Sequence, residues 1–236
     1  MPDQSQTNTT RSQGRTYPAG YGQIEPVSNY RPWDVDQEFQ EIYAKVTSNT
    51  MVDQFRLWTL WFLAKQLPAG DLLEVGSWKG GSGAVLARAV SVAGGANPVV
   101  LADTFRGVVK ATEHDTYYKG GEHANTSREL VQAFLQELGH GETMILEGVF
   151  PDETAEQIAE RQFAMCHIDV DVYQSARDVF EWVWPRMVTG GVVVFDDYGF
   201  YGCEGVTKYV LELATTEVVV VPSLTGQAII QKSSLA

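Results

Sequence analysis

Short apolar runs and amphipathic stretches alternate along this chain, and their order predicts alternating β-strands and α-helices. The regular alternation predicts an α/β fold built on a mostly parallel, doubly wound sheet. Two final strands that lie close together in sequence permit an antiparallel hairpin at one edge. The strands are predicted at residues 72–75, 98–102, 144–147, 163–168, 192–195, 218–221 and 228–230. The helices are predicted at residues 34–46, 52–66, 80–93, 127–138, 152–160, 175–184 and 204–214.

Changes in composition divide the chain into three predicted regions. Residues 1–30 are rich in Ser, Thr, Gln, Asn and Gly, which is typical of a flexible leader. Residues 31–68 form a predicted helical segment, which we expect to pack on the core. A lid role for the start of its second helix, near Thr50 and Met51, is the alternative. Residues 69–236 contain the strand and helix alternation and form the main domain.

The overall charge excludes several classes of partner. The 236 residues carry a formal net charge of -13, and such an acidic chain repels nucleic-acid phosphates. It contains no run of 18 apolar residues, so we expect no membrane span. Its start lacks a basic and an apolar signal region, which predicts a cytoplasmic protein. Cys166 and Cys203 are then expected to be free thiols.

A glycine-rich turn follows the first predicted strand of the main domain. Residues 71–83 read as a strand, a turn with several glycines and a helix start, which brings backbone N–H groups close to a ligand. Asp103, at the end of the next strand, suits ribose hydroxyls, and Glu74 suits an ammonium group. S-adenosylmethionine carries both groups. The predicted donor-binding residues are Glu74, Gly76, Ser77, Gly80, Ser82, Asp103 and Thr104.

Two pairs of aspartates follow two predicted buried strands. Asp169 and Asp171 lie after residues 163–168, and Asp196 and Asp197 lie after residues 192–195. If the two strands are neighbours, four carboxylates meet at one sheet edge, which is costly unless a cation or shared protons neutralise them. Oxygen ligands favour a hard divalent cation, with Mg²⁺ first. Each pair alone is also compatible with a solvated turn or a helix cap.

Five segments, in order, resemble the macrocin O-methyltransferase family: residues 71–83, 102–107, 147–154, 167–173 and 190–198. The resemblance implies a class I methyltransferase fold, which is Rossmann-like, with S-adenosylmethionine as methyl donor. It implies methylation of a sugar hydroxyl during antibiotic biosynthesis, on a small glycosylated substrate, by a homo-oligomer. It also implies Mg²⁺ held by Asp169, Asp196 and Asp197, with Asp171 as general base.

Three other functions stay open on the sequence. A catechol-type methyltransferase has a similar metal arrangement, although an asparagine commonly takes the place of Asp197 there. A metal-dependent glycosyltransferase with an Asp-x-Asp site leaves Glu74 and the glycine loop unexplained. A module that binds S-adenosylmethionine without catalysis does not require the four aspartates. Residues 108–125 match no known segment, and a long polar loop of this kind favours a functional role.

Overall fold

A computed structural model describes residues 11–12, 15–24 and 27–233 of this chain. The chain divides into two compact units, Met1–Tyr30 and Arg31–Ala236. In the first unit, β1 (Arg11–Ser12) pairs antiparallel with β2 (Arg15–Thr16). Much of the leader predicted at residues 1–30 lies outside the described residues, so its flexibility stays a prediction.

The second unit is built on a seven-stranded sheet, which confirms the predicted fold class. Its strands are β3 (Asp71–Val75), β4 (Val99–Asp103), β5 (Met144–Glu147), β6 (Phe163–Ile168), β7 (Met187–Phe195), β8 (Val220–Pro222) and β9 (Ala228–Gln231). They run in the order β5-β4-β3-β6-β7-β9-β8. β9 is antiparallel to both of its neighbours, whereas the other pairs are parallel. The final two strands therefore form the predicted edge hairpin.

In the described part of the chain, six α-helices cover the two faces of this sheet. They are α1 (Gln37–Val46), α2 (Gln54–Ala64), α3 (Gly81–Val92), α4 (Arg128–Glu137), α5 (Tyr173–Val183) and α6 (Glu204–Leu213). Apolar side chains of α1 to α4 share one buried core with the sheet, and those of α5 and α6 share the other. The predicted helical segment at residues 31–68 thus packs in the same compact unit as the sheet. Within the described residues, no helix combines the length and apolar character that a membrane crossing requires.

Side-chain caps explain where several of these helices begin. Asp36 accepts a hydrogen bond from the Phe39 amide, and Asp53 accepts from the amides of Phe55 and Arg56. Ser127 caps α4 in the same way. Because Asp and Ser side chains satisfy amides that lack a helical partner, the helices start one residue after each cap.

Two predicted elements differ most from the structure. Residues 152–160 do not form an α-helix; only a 3-10 turn, Ala155–Ile158, occurs there, because Ala155 and Ile158 alone bury apolar side chains. The strand predicted at residues 192–195 begins at Met187 and includes the glycine pair. Gly190 donates its amide to the Lys232 carbonyl at 2.7 Å, so backbone pairing extends the strand through residues that read as a loop.

The strand order places the functional ends of the strands together. β3 lies between β4 and β6, so the direction of winding reverses at β3, where open α/β sheets bind ligands. In the register, Val75 lies beside Ile168, and Ile168 lies beside Phe195. The residues that follow these three positions therefore meet at one sheet edge.

Candidate active site

The glycine turn after β3 requires glycine where the backbone passes the neighbouring strand. Gly76 has φ +93°, and a Cβ there would lie 1.7 Å from the carbonyl oxygen of Asp169. Gly80 caps α3 with φ +82°, and its Cβ would meet Val131 at 2.8 Å. The first glycine brings the turn against the aspartate strand, and the second permits a left-handed turn into α3.

Ser77, next in this turn, has an unpaired polar atom. Its side chain is 2% exposed, lines the cleft described below, and its hydroxyl has no hydrogen-bond partner. A buried hydroxyl without a partner costs free energy, so this atom is poised for a ligand group. The carbonyl oxygen of Asn49 accepts from the Gly81 amide at 2.9 Å, which occupies one donor at the start of α3.

Asp103, at the end of β4, ties the glycine turn to the next loop. One carboxylate oxygen accepts from the Trp78 amide and the other from the Phe105 amide, both at 2.7 Å. Burial raises the pKa of Asp103, and these two backbone hydrogen bonds oppose the rise. Thr104 follows it and accepts from the Arg106 amide at 3.0 Å. Both residues line the cleft.

Glu74 does not line the cleft, contrary to the role that the sequence suggested for it. It is 0% exposed, and His167 donates from Nδ1 to its Oε1 at 2.8 Å. Its Oε2 has no hydrogen-bond partner and faces the backbone of Gly83. Direct contact between this carboxylate and a ligand ammonium is therefore not available in this arrangement. Gly80, also a predicted donor-binding residue, likewise lies outside the cleft lining.

The two aspartate pairs meet at the carboxyl ends of β6 and β7, as predicted. The Asp171 amide donates to Asp197 Oδ2 at 2.8 Å, and this bond joins the two pairs. Asp171 has φ +65°, so the chain turns sharply after β6 and directs its carboxylate into the cleft with Asp169. Aspartate adopts this left-handed conformation more readily than most side chains.

The positive charge beside these aspartates comes from a residue that the sequence did not indicate. Arg56, on the first turn of α2, forms a buried ion pair with Asp196 Oδ2. It also donates to Asp53 Oδ2 at 2.8 Å and to the Met51 carbonyl at 3.2 Å. Its guanidinium carbon lies 4.5 Å from the centre of the Phe200 ring. Arg56 and Asp196 are far apart in the chain, and only the packing of α2 near the end of β7 brings the arginine to the site.

Asp196 has hydrogen bonds on both carboxylate oxygens. His167 Nε2 lies 3.2 Å from Oδ1, and Gln227 Nε2 donates to the same oxygen at 2.7 Å. Burial raises the pKa of Asp196, but the charge of Arg56 and the bonds from His167 and Gln227 outweigh it and lower that pKa. For His167, burial lowers the pKa, while Asp196 and Glu74 raise it well above its usual value. The histidine is a fully buried residue held between two carboxylates.

The other three aspartates hold their protons more strongly than usual. Burial raises the pKa of Asp169 well above its ordinary value, and Asp196 and Asp197 add to the effect. Burial and the Asp171 charge raise the pKa of Asp197 to about 8. Burial also raises the pKa of Asp171 to about 6, against a hydrogen bond from Tyr118. These carboxylates lack the positive charge that would match them.

The potential metal-ligand atoms form two sets, and within each set the atoms lie within 4.8 Å of one another. One set comes from His167, Asp169 and Asp196, and the other comes from Asp171, Asp197 and Cys203. The three predicted metal ligands are thus divided between the two sets. The Cys203 thiol donates to Asp197 Oδ1 at 3.7 Å, and burial raises its pKa, so it stays a neutral thiol.

One cleft of about 290 Å³ connects the glycine turn with the aspartates. Among the predicted site residues, those lining it are Gly76, Ser77, Ser82, Asp103, Thr104, Asp169, Asp171, Asp196 and Asp197. Lining residues that the sequence did not assign include Arg56, Tyr118, His123, Phe150, Phe200 and Cys203. Phe150 belongs to a segment that carried the family resemblance, whereas the others follow no motif. Thr50 and Met51, where a lid role was the alternative to core packing, also line this cleft.

Comparisons with known proteins identify the family of this chain. The family model Macrocin-O-methyltransferase (TylF) matches residues 36–217. The chain is 34% identical over 171 residues to the 8-demethyl-8-(2,3-dimethoxy-alpha-L-rhamnosyl)-tetracenomycin-C 4'-O-methyltransferase of Streptomyces olivaceus, covering 66% of this chain and 65% of that protein. It is 31% identical over 154 residues to the Mycinamicin III 3''-O-methyltransferase of Micromonospora griseorubida, covering 59% and 60%. The matched segments therefore span less than two thirds of these relatives.

A solved structure has the same fold. The O-methyltransferase NovP aligns with a TM-score of 0.66 at 24% sequence identity, covering 78% of this chain and 82% of that one. At this identity the likeness concerns the arrangement of strands and helices.

Proposed function

The chain belongs to the macrocin-O-methyltransferase family, and we propose on that premise that it is a sugar O-methyltransferase of antibiotic biosynthesis. It would transfer a methyl group from S-adenosylmethionine to a hydroxyl of a sugar carried by a natural product, with the help of Mg²⁺. The observation that supports this most is that the glycine turn and the four aspartates line the same cleft.

The donor end of the cleft suits S-adenosylmethionine. Gly76 brings the turn against the aspartate strand, the unpaired Ser77 hydroxyl faces the cleft, and the Asp103 carboxylate stands at the next strand end. A serine hydroxyl and a carboxylate, both able to bond ligand hydroxyls, match a nucleoside that carries a polar tail. When bound, this cofactor supplies an activated methyl group on a sulfonium. Ser77, Ser82 and Thr104 would orient it.

The acceptor end suits a divalent cation. Asp169 and Asp197 are oxygen donors whose pKa values are raised by burial and by the neighbouring aspartates, and a cation beside them would offset both effects. A bound Mg²⁺ would supply the charge that lowers the pKa of an acceptor hydroxyl. Asp196, the third predicted ligand, already bonds Arg56, His167 and Gln227. To hold the ion, it would release one of these three partners, or one of its oxygens would contact the ion and a partner together.

Asp171 is the proposed general base. Its carboxylate lines the cleft beside the predicted metal ligands without a cationic partner of its own in the described contacts. A pKa raised to about 6 keeps it mostly ionised at neutral pH and gives it more affinity for a proton than an ordinary aspartate. It would therefore accept the proton of the acceptor hydroxyl.

The charge of the cleft favours an uncharged acceptor. Five aspartates line it. Among the described lining residues, Arg56 is the only lysine or arginine. That arginine is already paired with Asp53 and Asp196. A diphosphate would find no unpaired lysine or arginine among the described lining residues to bind it, so a glycoside with an apolar aglycone suits the site better than a sugar nucleotide. Met51 and Tyr201, 53% and 57% exposed, give the cleft an apolar rim.

A methylation screen tests this function. The protein would be incubated with labelled S-adenosylmethionine, Mg²⁺ and three acceptor sets: glycosylated natural products, sugar nucleotides and simple catechols. We expect mass increases of one methyl group in the first set, lost on addition of EDTA and restored by excess Mg²⁺. Methylation confined to catechols or sugar nucleotides would overturn the acceptor class, and full turnover in EDTA would overturn the metal role.

A further inference from the structure

The guanidinium of Arg56 brings a cation of the protein itself into the aspartate cluster. It is buried and forms an ion pair with Asp196 Oδ2. The other oxygen of this carboxylate, Oδ1, accepts from Gln227 Nε2 at 2.7 Å and lies 3.2 Å from His167 Nε2. The two oxygens thus have different partners among the described bonds, and Arg56 takes the oxygen that the two uncharged or histidine partners leave.

The three partners of Asp196 differ in what their release would cost. His167 and Gln227 are both 0% exposed, so release of either would leave a buried polar group without its partner. Arg56 has a second carboxylate within reach, because its Nε donates to Asp53 Oδ2 at 2.8 Å. The Asp53 side chain is 44% exposed, so this second pair lies at the edge of the solvent. Arg56 is therefore the partner that can leave Asp196 and stay paired.

A divalent ion held by the aspartates competes with this guanidinium. Potential ligand atoms of Asp169 and Asp196 lie within 4.8 Å of one another. An ion there and the Arg56 guanidinium would be two positive charges beside one buried carboxylate, and they repel each other because little water screens them. Since Oδ1 already bonds two buried groups, Oδ2 is the better oxygen for the ion, and Arg56 has to leave it.

We propose that Arg56 takes the place of the divalent cation at Asp196 Oδ2 in the metal-free protein and leaves this oxygen when Mg²⁺ binds, while it keeps its pair with Asp53. The inference rests on the metal role in the function proposed above. Arg56 then lowers the affinity of the site for Mg²⁺, because part of the binding free energy is spent on breaking a buried ion pair.

Titration of Mg²⁺ alone into charge variants tests this competition. Arg56→Gln removes the charge and keeps a polar side chain, and Arg56→Lys keeps the charge. Arg88→Gln, at a partly exposed pair with Glu38, is the matched control. By calorimetry at pH 8.5, Arg56→Gln should bind Mg²⁺ at least about tenfold more tightly than wild type. Arg56→Lys and Arg88→Gln should stay within about threefold of the wild-type Kd.

Urea unfolding with and without Mg²⁺ separates competition from a purely structural role. Without the ion, Arg56→Gln should unfold at a lower urea midpoint than wild type, because Asp196 has lost its buried partner. Saturating Mg²⁺ should narrow this gap, since the ion stabilises the variant that binds it more tightly by the larger amount. If Arg56→Gln does not fold without the ion, its recovery on addition of Mg²⁺ gives the same result.

The outcomes distinguish this inference from the proposed function. If wild type binds Mg²⁺ and Arg56→Gln binds it equally or more weakly, the competition is refuted and the metal role stands. A gap between urea midpoints that Mg²⁺ leaves unchanged refutes the competition as well. If neither wild type nor Arg56→Gln binds Mg²⁺, both the inference and the proposed metal role fail, whereas binding by Arg56→Gln alone supports the competition.

Discussion

Binding of Mg²⁺ should depend steeply on pH, because Asp197 has to lose a proton before it can become a ligand. Burial and the Asp171 charge raise the pKa of Asp197 to about 8, so at neutral pH it is mostly protonated in the metal-free protein. The ligand form of a carboxylate is the anion, and metal binding therefore releases the proton. The perturbation is simply a change of pH from 6.5 to 8.5.

The raised pKa sets the size of the effect. A single group with a pKa near 8 weakens the apparent affinity about 30-fold at pH 6.5 and hardly at all at pH 8.5, a difference of about 25-fold or ~2 kcal/mol. At pH 7 about 0.9 proton should leave for each ion bound. Asp169, whose pKa is also raised, changes the result in the same direction.

Isothermal titration calorimetry measures both quantities. Titrations of Mg²⁺ at the two pH values give the affinity ratio, and titrations at pH 7 in buffers of different ionisation enthalpy give the number of protons released. Asp197→Asn should bind more weakly and lose most of the pH dependence while its amide oxygen still accepts from the Asp171 amide. Asp34→Asn, at an exposed pair with Arg31, is the matched control and should behave as wild type.

The same shift predicts a stability change with the opposite pH trend. The folded, metal-free protein keeps a proton on Asp197 that the unfolded chain releases above its ordinary pKa of 3.8. Its contribution to stability is therefore fully present below about pH 4 and is lost as pH rises toward about 8. Equal Mg²⁺ affinity at pH 6.5 and 8.5, with no proton released, would refute the reasoning for both effects.

Two other substitutions test the packing of the site. Arg56→Ala removes the buried ion pair of Asp196 Oδ2 and should lower the free energy of unfolding by about 3 to 5 kcal/mol. Arg88→Ala removes the partly exposed pair of Arg88 with Glu38 and should cost about 0.2 to 1 kcal/mol. Urea midpoints measure both losses, and equal losses would contradict the special role of the buried pair. Gly76→Ala places a Cβ 1.7 Å from the carbonyl oxygen of the neighbouring strand end and should cost at least ~4 kcal/mol or prevent folding. Gly94→Ala, also at positive φ but with no atom within 4 Å, should cost only ~1 kcal/mol by thermal melts, and similar losses at both glycines would show that strain, not contact, decides.

Much of the fold could be read from local patterns. The apolar run at residues 163–168 is completely buried in β6, because a central parallel strand is covered on both faces. Asp53 and Ser127 fixed helix starts through contacts two or three residues away. Where the pattern misled, longer contacts decided the outcome: Gly190 reads as a loop residue, yet pairing with Lys232 draws it into β7.

In the active site too, some features follow from the sequence and others depend on tertiary contacts. The sequence by itself determined that two aspartate pairs and a glycine turn follow strands of a mostly parallel sheet, and parallel strands direct their carboxyl ends to one edge. The strand order of the structure then made β3, β6 and β7 neighbours. Only the tertiary structure brought Arg56 to Asp196, directed Glu74 to His167 and placed Tyr118 beside Asp171. These contacts join residues far apart in the chain. The Glu74–His167 contact depends on the register of β3 against β6, and the others depend on how helices and loops pack over the sheet, neither of which local periodicity encodes.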